Sequence, residues 1–459
     1  MKKRKFLSLF LTTVLAISLF AGCKSKSGDS PVQENPSAET TEKTESTDAS
    51  APEASDDSGA SFSLLQFHKT TDESGTGAAY RIASEAWKEV NPGVTIEEEF
   101  VAHDDYETYL KTMMASNTLP DVFICKGDML EQLAGAGVIV PLDDDIAGEW
   151  GNGFSDGALT DGTVDDKVYT IPFQLQANCT VVYNQDILTE CGVNEFPSTY
   201  DELLDAIDKI NAKGYTPIAL GNSAKWVAES CLFNTFAYRY VTADWFLSLK
   251  NGQGAKFTDE AFVKALADFQ NLANVGAFNS DMNSIDNMQQ KTMYYNKKAA
   301  MFIEGAWCVG DIIANAPEDV KAVTQFANLP EVTGAGGDKD AVAGGAGWGY
   351  CINASLTGEN KEAALSFLKA VSDSNYGEIA LQNGFISGSK VENIDTSSLD
   401  PIFAKYLAYV STVKQQPIFD VQLPAAVSEE LYARTQELLI GAVTPEEMAQ
   451  YCQEVLDAQ

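Results

Sequence analysis

The chain has 459 residues, with 66 Asp and Glu against 31 Lys and Arg, a net charge of −35 and 45% hydrophobic residues. So acidic a surface repels phosphate backbones and excludes nucleic acid as a partner class. With two histidines, no Gly-x-Ser-x-Gly elbow and no Gly-x-x-x-x-Gly-Lys loop, nucleophilic hydrolysis and nucleotide chemistry are disfavoured, whereas a glycosidase, which needs only two carboxylates, stays open.

The first 60 residues read as an address and a tether. Lys2, Lys3, Arg4 and Lys5 precede an apolar run, Phe6 to Phe20, that is short for a membrane span, and small residues lead up to Cys23. Phe20-Ala21-Gly22-Cys23 resembles a bacterial lipobox, with Phe20 where that pattern usually has Leu. The resemblance implies a signal peptide over 1–22, lipidation of Cys23, and residence on the extracellular face of the bacterial cell membrane. Residues 24–60 are rich in Ser, Thr, Glu, Pro and Ala, with Val32 as the one branched aliphatic. Such a segment buries too little apolar surface to fold, and its reach is on the order of 30 Å.

From Ser61 the pattern turns globular, with enough chain for two lobes. Ser61 to Phe67 predicts a strand. Ala79, Ile82, Ala83, Ala86, Trp87 and Val90 then recur at helical spacing over 78–90, and Asn91-Pro92-Gly93 stops the helix. Val94 to Val101 predicts a second strand, Tyr106 to Ala115 a second helix, and Asp121 to Ile124 a third strand. Strands alternating with helices imply a parallel sheet covered on both faces, with ligands beyond the strands' carboxyl ends.

Lys167 to Phe173 and Thr180 to Tyr183 predict consecutive strands at a crossover. Ser198-Thr199-Tyr200-Asp201-Glu202 has the form of a helix start, with Gly214 as its end. Ile218 to Leu220 returns as a strand, helical patterns fill 227–278 and 282–295, and Ala299 to Ile303 is a further apolar strand. The helical region 402–459 is punctuated by Pro417, Pro424 and Pro445. Seven cysteines follow Cys23, an odd number without Cys-x-x-Cys spacing, which argues against a disulfide framework. The acidic runs Asp143-Asp144-Asp145 and Asp165-Asp166 lack the spacing of a calcium loop, so no metal or cofactor is expected.

Several stretches, in this order, carry a family resemblance: Asn91-Pro92-Gly93-Val94, Leu119-Pro120-Asp121-Val122-Phe123, Lys167-Val168-Tyr169-Thr170-Ile171-Pro172-Phe173 followed by Tyr183 to Leu188, Ala299 to Trp307, and Gly344-Gly345-Ala346-Gly347-Trp348-Gly349. Together they resemble the carbohydrate-type extracellular solute-binding proteins of bacterial ABC importers. That resemblance implies a periplasmic-binding-protein-like α/β fold of two lobes joined by a hinge, residues 61–174 with 325–398 and 175–324 with 399–459, closing on a sugar. It also implies permease subunits as partners, a monomer, and no chemistry of its own. A receptor for polyols or peptides, or one serving a membrane sensor, would use the same fold.

A sugar presents hydroxyl edges that need fixed donors and acceptors and flat C–H faces that lie on aromatic rings. Trp307 follows a strand and Gly305 at a turn where the family places a stacking aromatic, with Glu304 beside it as a hydroxyl acceptor. Trp348 lies in a Gly-rich turn and Trp226 after the loop 221–225. For each, a packing role is the alternative, and it is the expected role of Trp87 and Trp245. Asp128 beyond the third strand is either a hydroxyl ligand or a helix cap. Gln174 and Gln176 alternate at the crossover, His68 ends the first strand, and Asp420 follows Pro417; these complete the candidate set.

Overall fold

The computed structural model describes residues 59–392 and 394–459. The signal peptide, Cys23 and nearly all of the tether lie outside the described residues. The first lobe opens with β1 (Ser61–Gln66), α1 (Gly75–Val90), β2 (Thr95–Phe100), α2 (His103–Ser116), β3 (Val122–Lys126) and α3 (Gly127–Gly135). Its five-stranded sheet runs β2, β1, β3, Trp348–Ile352, Ile171–Pro172. β1 pairs parallel with β2 and β3, but Trp348–Ile352 is antiparallel to both neighbours, so the sheet is mixed and not the parallel one expected. β3 (Val-Phe-Ile-Cys-Lys) is buried throughout, as a central strand requires. β2 carries Glu97, Glu98 and Glu99 on the edge, where charge discourages further pairing.

α1 buries Ala79, Tyr80, Ala83 and Trp87, whereas Ile82 and Val90 of the predicted stripe are 39% and 76% exposed. The difference follows from what covers the helix: Gly358–Ala370, Ser374–Gln382 and Cys308–Asn315 pack against it, and Ile82 and Val90 fall outside that cover.

The second lobe holds a four-stranded sheet in the order Thr324–Ala327, Thr180–Asn184, Ala299–Glu304, Thr216–Ala219. Alternation splits its side chains between two cores. Val181, Ile218, Met301 and Ile303 face one; Val182, Ala219 and Phe302 face the other. Helices cover both faces. The helical stretch predicted over 227–278 is divided into a π-helical turn, Val227–Phe233, then Asn234–Ala237, Ala243–Lys250 and Glu260–Asn274. Helix starts follow local chemistry: Thr199 with Glu202, Asp286 with Gln289 and Thr444 with Glu447 form capping boxes. Pro445 is a first-turn residue and Pro424 immediately precedes Ala425–Leu439, so both begin helices.

The chain crosses between lobes near a small sheet of Lys414–Gln416, Ala341–Gly345 and Gln176–Ala177. It leaves the first sheet after Pro172, re-enters it at Trp348, and passes over again between Gln382 and Pro401. The return lies after Gly345 and not near 325, because Thr324–Ala327 pairs antiparallel with Thr180–Asn184 in the second sheet. All seven described cysteines are buried. Among the described residues no helix is long and apolar enough to cross a membrane.

Candidate functional site

Where the lobes meet, half-buried aromatic side chains, joined through the exposed ring of His103, form a continuous band. Phe67 lies just beyond β1, and Trp348 follows Gly347, whose φ of +64° makes the turn into its strand. From the second lobe, Trp226 follows Lys225 into the π-helical turn, and Trp307 opens the helix Cys308–Asn315. A Cβ on Gly305 would stand 2.1 Å from the Trp307 ring, so only glycine lets the indole fold back over the backbone. Ring centroids are 5.3 Å apart for Phe67 and Trp348, 5.9 Å for Trp348 and His103, 5.6 Å for His103 and Trp226, and 5.8 Å for Trp226 and Trp307. The band thus crosses from one lobe to the other.

Polar groups flank it. The Trp226 indole N–H donates to Asp104 Oδ1 at 3.4 Å, and the His103 Nδ1 lies 3.2 Å from the same oxygen. The His103 hydrogen bond holds the Asp104 carboxyl below its ordinary range. Lys126, buried at the end of β3, is 2.9 Å from Glu107 and 3.5 Å from the Tyr432 hydroxyl of the opposite lobe, with its ammonium 5.6 Å from the Trp348 ring centre. Burial would raise Glu107, but the Lys126 and Lys111 ammonium groups outweigh it and bring the carboxyl down. Two more contacts join the lobes: Lys111 with Glu429 at 2.6 Å, and Gln422 donating to Asp161 at 3.0 Å. Asp161 also accepts from the Gly347 N–H at 2.9 Å, and burial pushes its carboxyl up. The geometry suits a flat-faced ligand edged with hydroxyls.

Of the residues singled out from sequence, the structure brings Trp226, Trp307 and Trp348 into this band. Glu304 stands behind it: it is 0% exposed and accepts from Asn287, Gln290 and the Trp307 indole, which leaves no edge for a ligand hydroxyl. His68 is enclosed in the first core, stacked on Tyr80 with Nε2 2.9 Å from the Tyr350 hydroxyl. Its position at a strand end suggested the cleft, but the aromatic core closes over it. Gln174 is buried at the hinge and donates to the Ala346 carbonyl at 3.0 Å. The backbone of Gln176 pairs with Gly345, and Asp128 lies in the first turn of α3; the side chains of both lie outside the described residues. Asp420 accepts from the Tyr432 hydroxyl at 2.5 Å. His103, Asp104, Lys126 and Tyr432 were not singled out. The signal available for the first three was their place at the carboxyl ends of β2 and β3.

Residues 72–375 match the family model for the bacterial extracellular solute-binding protein. The diacetylchitobiose binding protein DasA of Streptomyces coelicolor is 27% identical over 297 residues, 60% of this chain and 62% of that one. A multiple sugar-binding protein of Streptococcus mutans is 25% identical over 231 residues, 47% of this chain and 51% of the relative. A binding protein of Brucella abortus is 24% identical over 242 residues, so the chain spans 58% of that relative's length. Among solved structures, a chitin oligosaccharide binding protein superposes with a TM-score of 0.78 at 24% identity, covering 87% of this chain and 98% of the other. The maltodextrin-binding domain MalE of Bdellovibrio bacteriovorus superposes with a TM-score of 0.68 at 18% identity, over 87% and 99%. With more than half of its length matched to the family model, on a two-lobed α/β fold, the chain belongs to the bacterial extracellular solute-binding proteins.

Proposed function

We propose that this protein is the sugar-capturing subunit of a bacterial ABC importer, tethered through lipidated Cys23 to the outer face of the cell membrane. It takes a carbohydrate of more than one ring between its lobes, and permease subunits receive the closed, loaded form. The observation that carries this reading is the aromatic band from Phe67 to Trp307 at the lobe junction, with Asp104 beside it. Indole faces cover the C–H faces of pyranose rings, and carboxylates accept from the hydroxyls that edge them. At 5.8 Å and 57° apart, Trp226 and Trp307 touch each other and leave no slot for a ring between them. They present an angled platform that suits successive rings of an oligosaccharide. The names of the relatives, which include diacetylchitobiose and multiple-sugar binders, support the substrate class.

The binding step is a population shift: a sugar touching both lobes favours the closed form in proportion to its differential affinity. The protein acts as a monomer and performs no catalysis. The test is thermal unfolding of the full chain against diacetylchitobiose, maltotriose, xylobiose, a polyol and a tripeptide, since a ligand of the native state raises the midpoint by mass action. A rise with one oligosaccharide, recovered intact, is the expected result. A rise with only the peptide or polyol, or breakdown of the sugar, overturns it.

A further inference from the structure

Behind Trp307 lies an ion network that is buried at Lys291 and Glu304 and reaches solvent only at its Asp311 end. Lys291 and Glu304 are 3% and 0% exposed, and the Lys291 ammonium stands 3.5 Å from Glu304 and 3.0 Å from Asp311. Burial acts to lower the ammonium, yet the Glu304 and Asp311 carboxylates outweigh it and raise it above the ordinary lysine range, so it stays charged. Glu304 Oε1 accepts from the Trp307 indole at 2.6 Å and from Asn287 at 2.9 Å, and Oε2 accepts from Gln290 at 3.0 Å. Asp311 is held in turn by the Tyr295 hydroxyl at 3.2 Å and by Asn315 at 2.6 Å.

Apart from the Trp307 indole, the donors to Glu304 come from a single helix, Asn287–Tyr295. Asn287, Gln290 and Lys291 occupy positions i, i+3 and i+4, one face of that helix. The same Gln290 accepts from the Gly221 N–H at 2.8 Å, at the start of the loop that carries Trp226. One helix face therefore touches the supports of both second-lobe indoles.

We propose that the network of Lys291, Glu304 and Asp311, packed against one face of the helix Asn287–Tyr295, is a bracket that fixes the plane of Trp307, making Lys291 and Glu304 positioning residues for ligand affinity. They touch no ligand; they hold the indole at the angle a sugar face needs, so the ordering entropy of that side chain is lost on folding and not on binding. Glycine at position 305 completes the arrangement by admitting the folded-back ring. The inference rests on Trp307 being a ligand platform.

The test is a double-mutant cycle in the full chain, with the oligosaccharide that raised the midpoint most in the panel above as probe. Lys291→Met and Glu304→Gln are each combined with Trp307→Ala, and the cycle proceeds on Glu304→Gln if the lysine variant does not fold. Each bracket variant is expected to weaken the probe's Kd by roughly tenfold, the scale of one charge-assisted hydrogen bond, in the parent chain and not at all in the Trp307→Ala background. The Trp307 indole N–H resonance, assigned by its loss in Trp307→Phe, is expected to move upfield in both bracket variants. Equal losses in the two backgrounds, or an indole resonance that stays in place, overturn the bracket. An unchanged Kd in Trp307→Ala alone overturns the sugar platform instead, so the two failures are distinct.

Discussion

His68 provides a quantitative test of the packing in the first lobe. Its ring is 1% exposed, stacked on Tyr80 and set edge-on against Phe173, and burial holds its pKa down to about 3. Nε2 meets the Tyr350 hydroxyl, and protonation would leave an N–H at Nδ1, which has no partner. The folded state therefore refuses a proton that the unfolded chain takes up near 6.5, so stability is full at neutral pH and falls as the pH drops below that value. Between pH 7 and pH 4.5 the histidine alone costs the native state about 2.5 kcal/mol by linkage. Substituting His68→Gln removes the titration, so urea unfolding at the two pH values should show the parent losing about 2.5 kcal/mol more than the variant. Subtracting the two proteins cancels every other group common to both. Equal losses would mean that the imidazole titrates at its ordinary value and is not enclosed. The variant should also keep the parent's response to sugar, because His68 presents no edge to the cleft.

Gly305→Ala places a methyl within 2.1 Å of the Trp307 ring; sugar affinity should fall as in Trp307→Ala while urea unfolding shows a loss of only about 1–3 kcal/mol, and an unchanged Kd would refute the steric reading. Glu229 has both carboxylate oxygens buried without partners, and burial with Asp420 nearby raises its pKa well above the usual value. The folded state thus holds a proton that the unfolded chain releases, so Glu229 costs stability increasingly as pH rises past its unfolded value near 4.5. Glu229→Gln should therefore gain on the parent from pH 5 to pH 8, and a difference flat with pH would contradict this. Arg239 is 2% exposed and its guanidinium donates to the carbonyls of Leu329, Pro330, Asp338 and Ala341 at 2.8–3.1 Å. Arg239→Met should cost at least about 3 kcal/mol in urea unfolding through the orphaned carbonyls, and a loss below about 1 kcal/mol would show that they find other partners.

Much of the fold was legible because it is written in short-range pattern. The apolar strand 299–303, the capping box at Thr199 and Glu202, and the glycine that ends the following helix each depend on residues a few positions apart. Trp307 and Trp348 were legible for a related reason, since each follows a glycine that the sequence itself displays, whereas Trp226 was suggested by the family resemblance.

The misassigned residues share one cause. Glu304 and His68 stand at strand ends, where a cleft is expected, but whether such a side chain meets ligand or core depends on what packs over it. For Glu304 that is the face of Asn287–Tyr295; for His68 it is Tyr80 and Phe173. Asp104 escaped notice because the indole it accepts from is 122 positions away on the other lobe.

Spacing and turn chemistry act over a few residues, so the α/β class, the family, the order of elements from residue 61 to 135 and the indoles available to the site were legible before any tertiary contact was known. Long-range packing set the rest: the antiparallel strand inside the first sheet, the point at which the chain recrosses between lobes, and the burial of Glu304 behind the indole band. Those outcomes depend on contacts between segments far apart in the chain, and no local period encodes them.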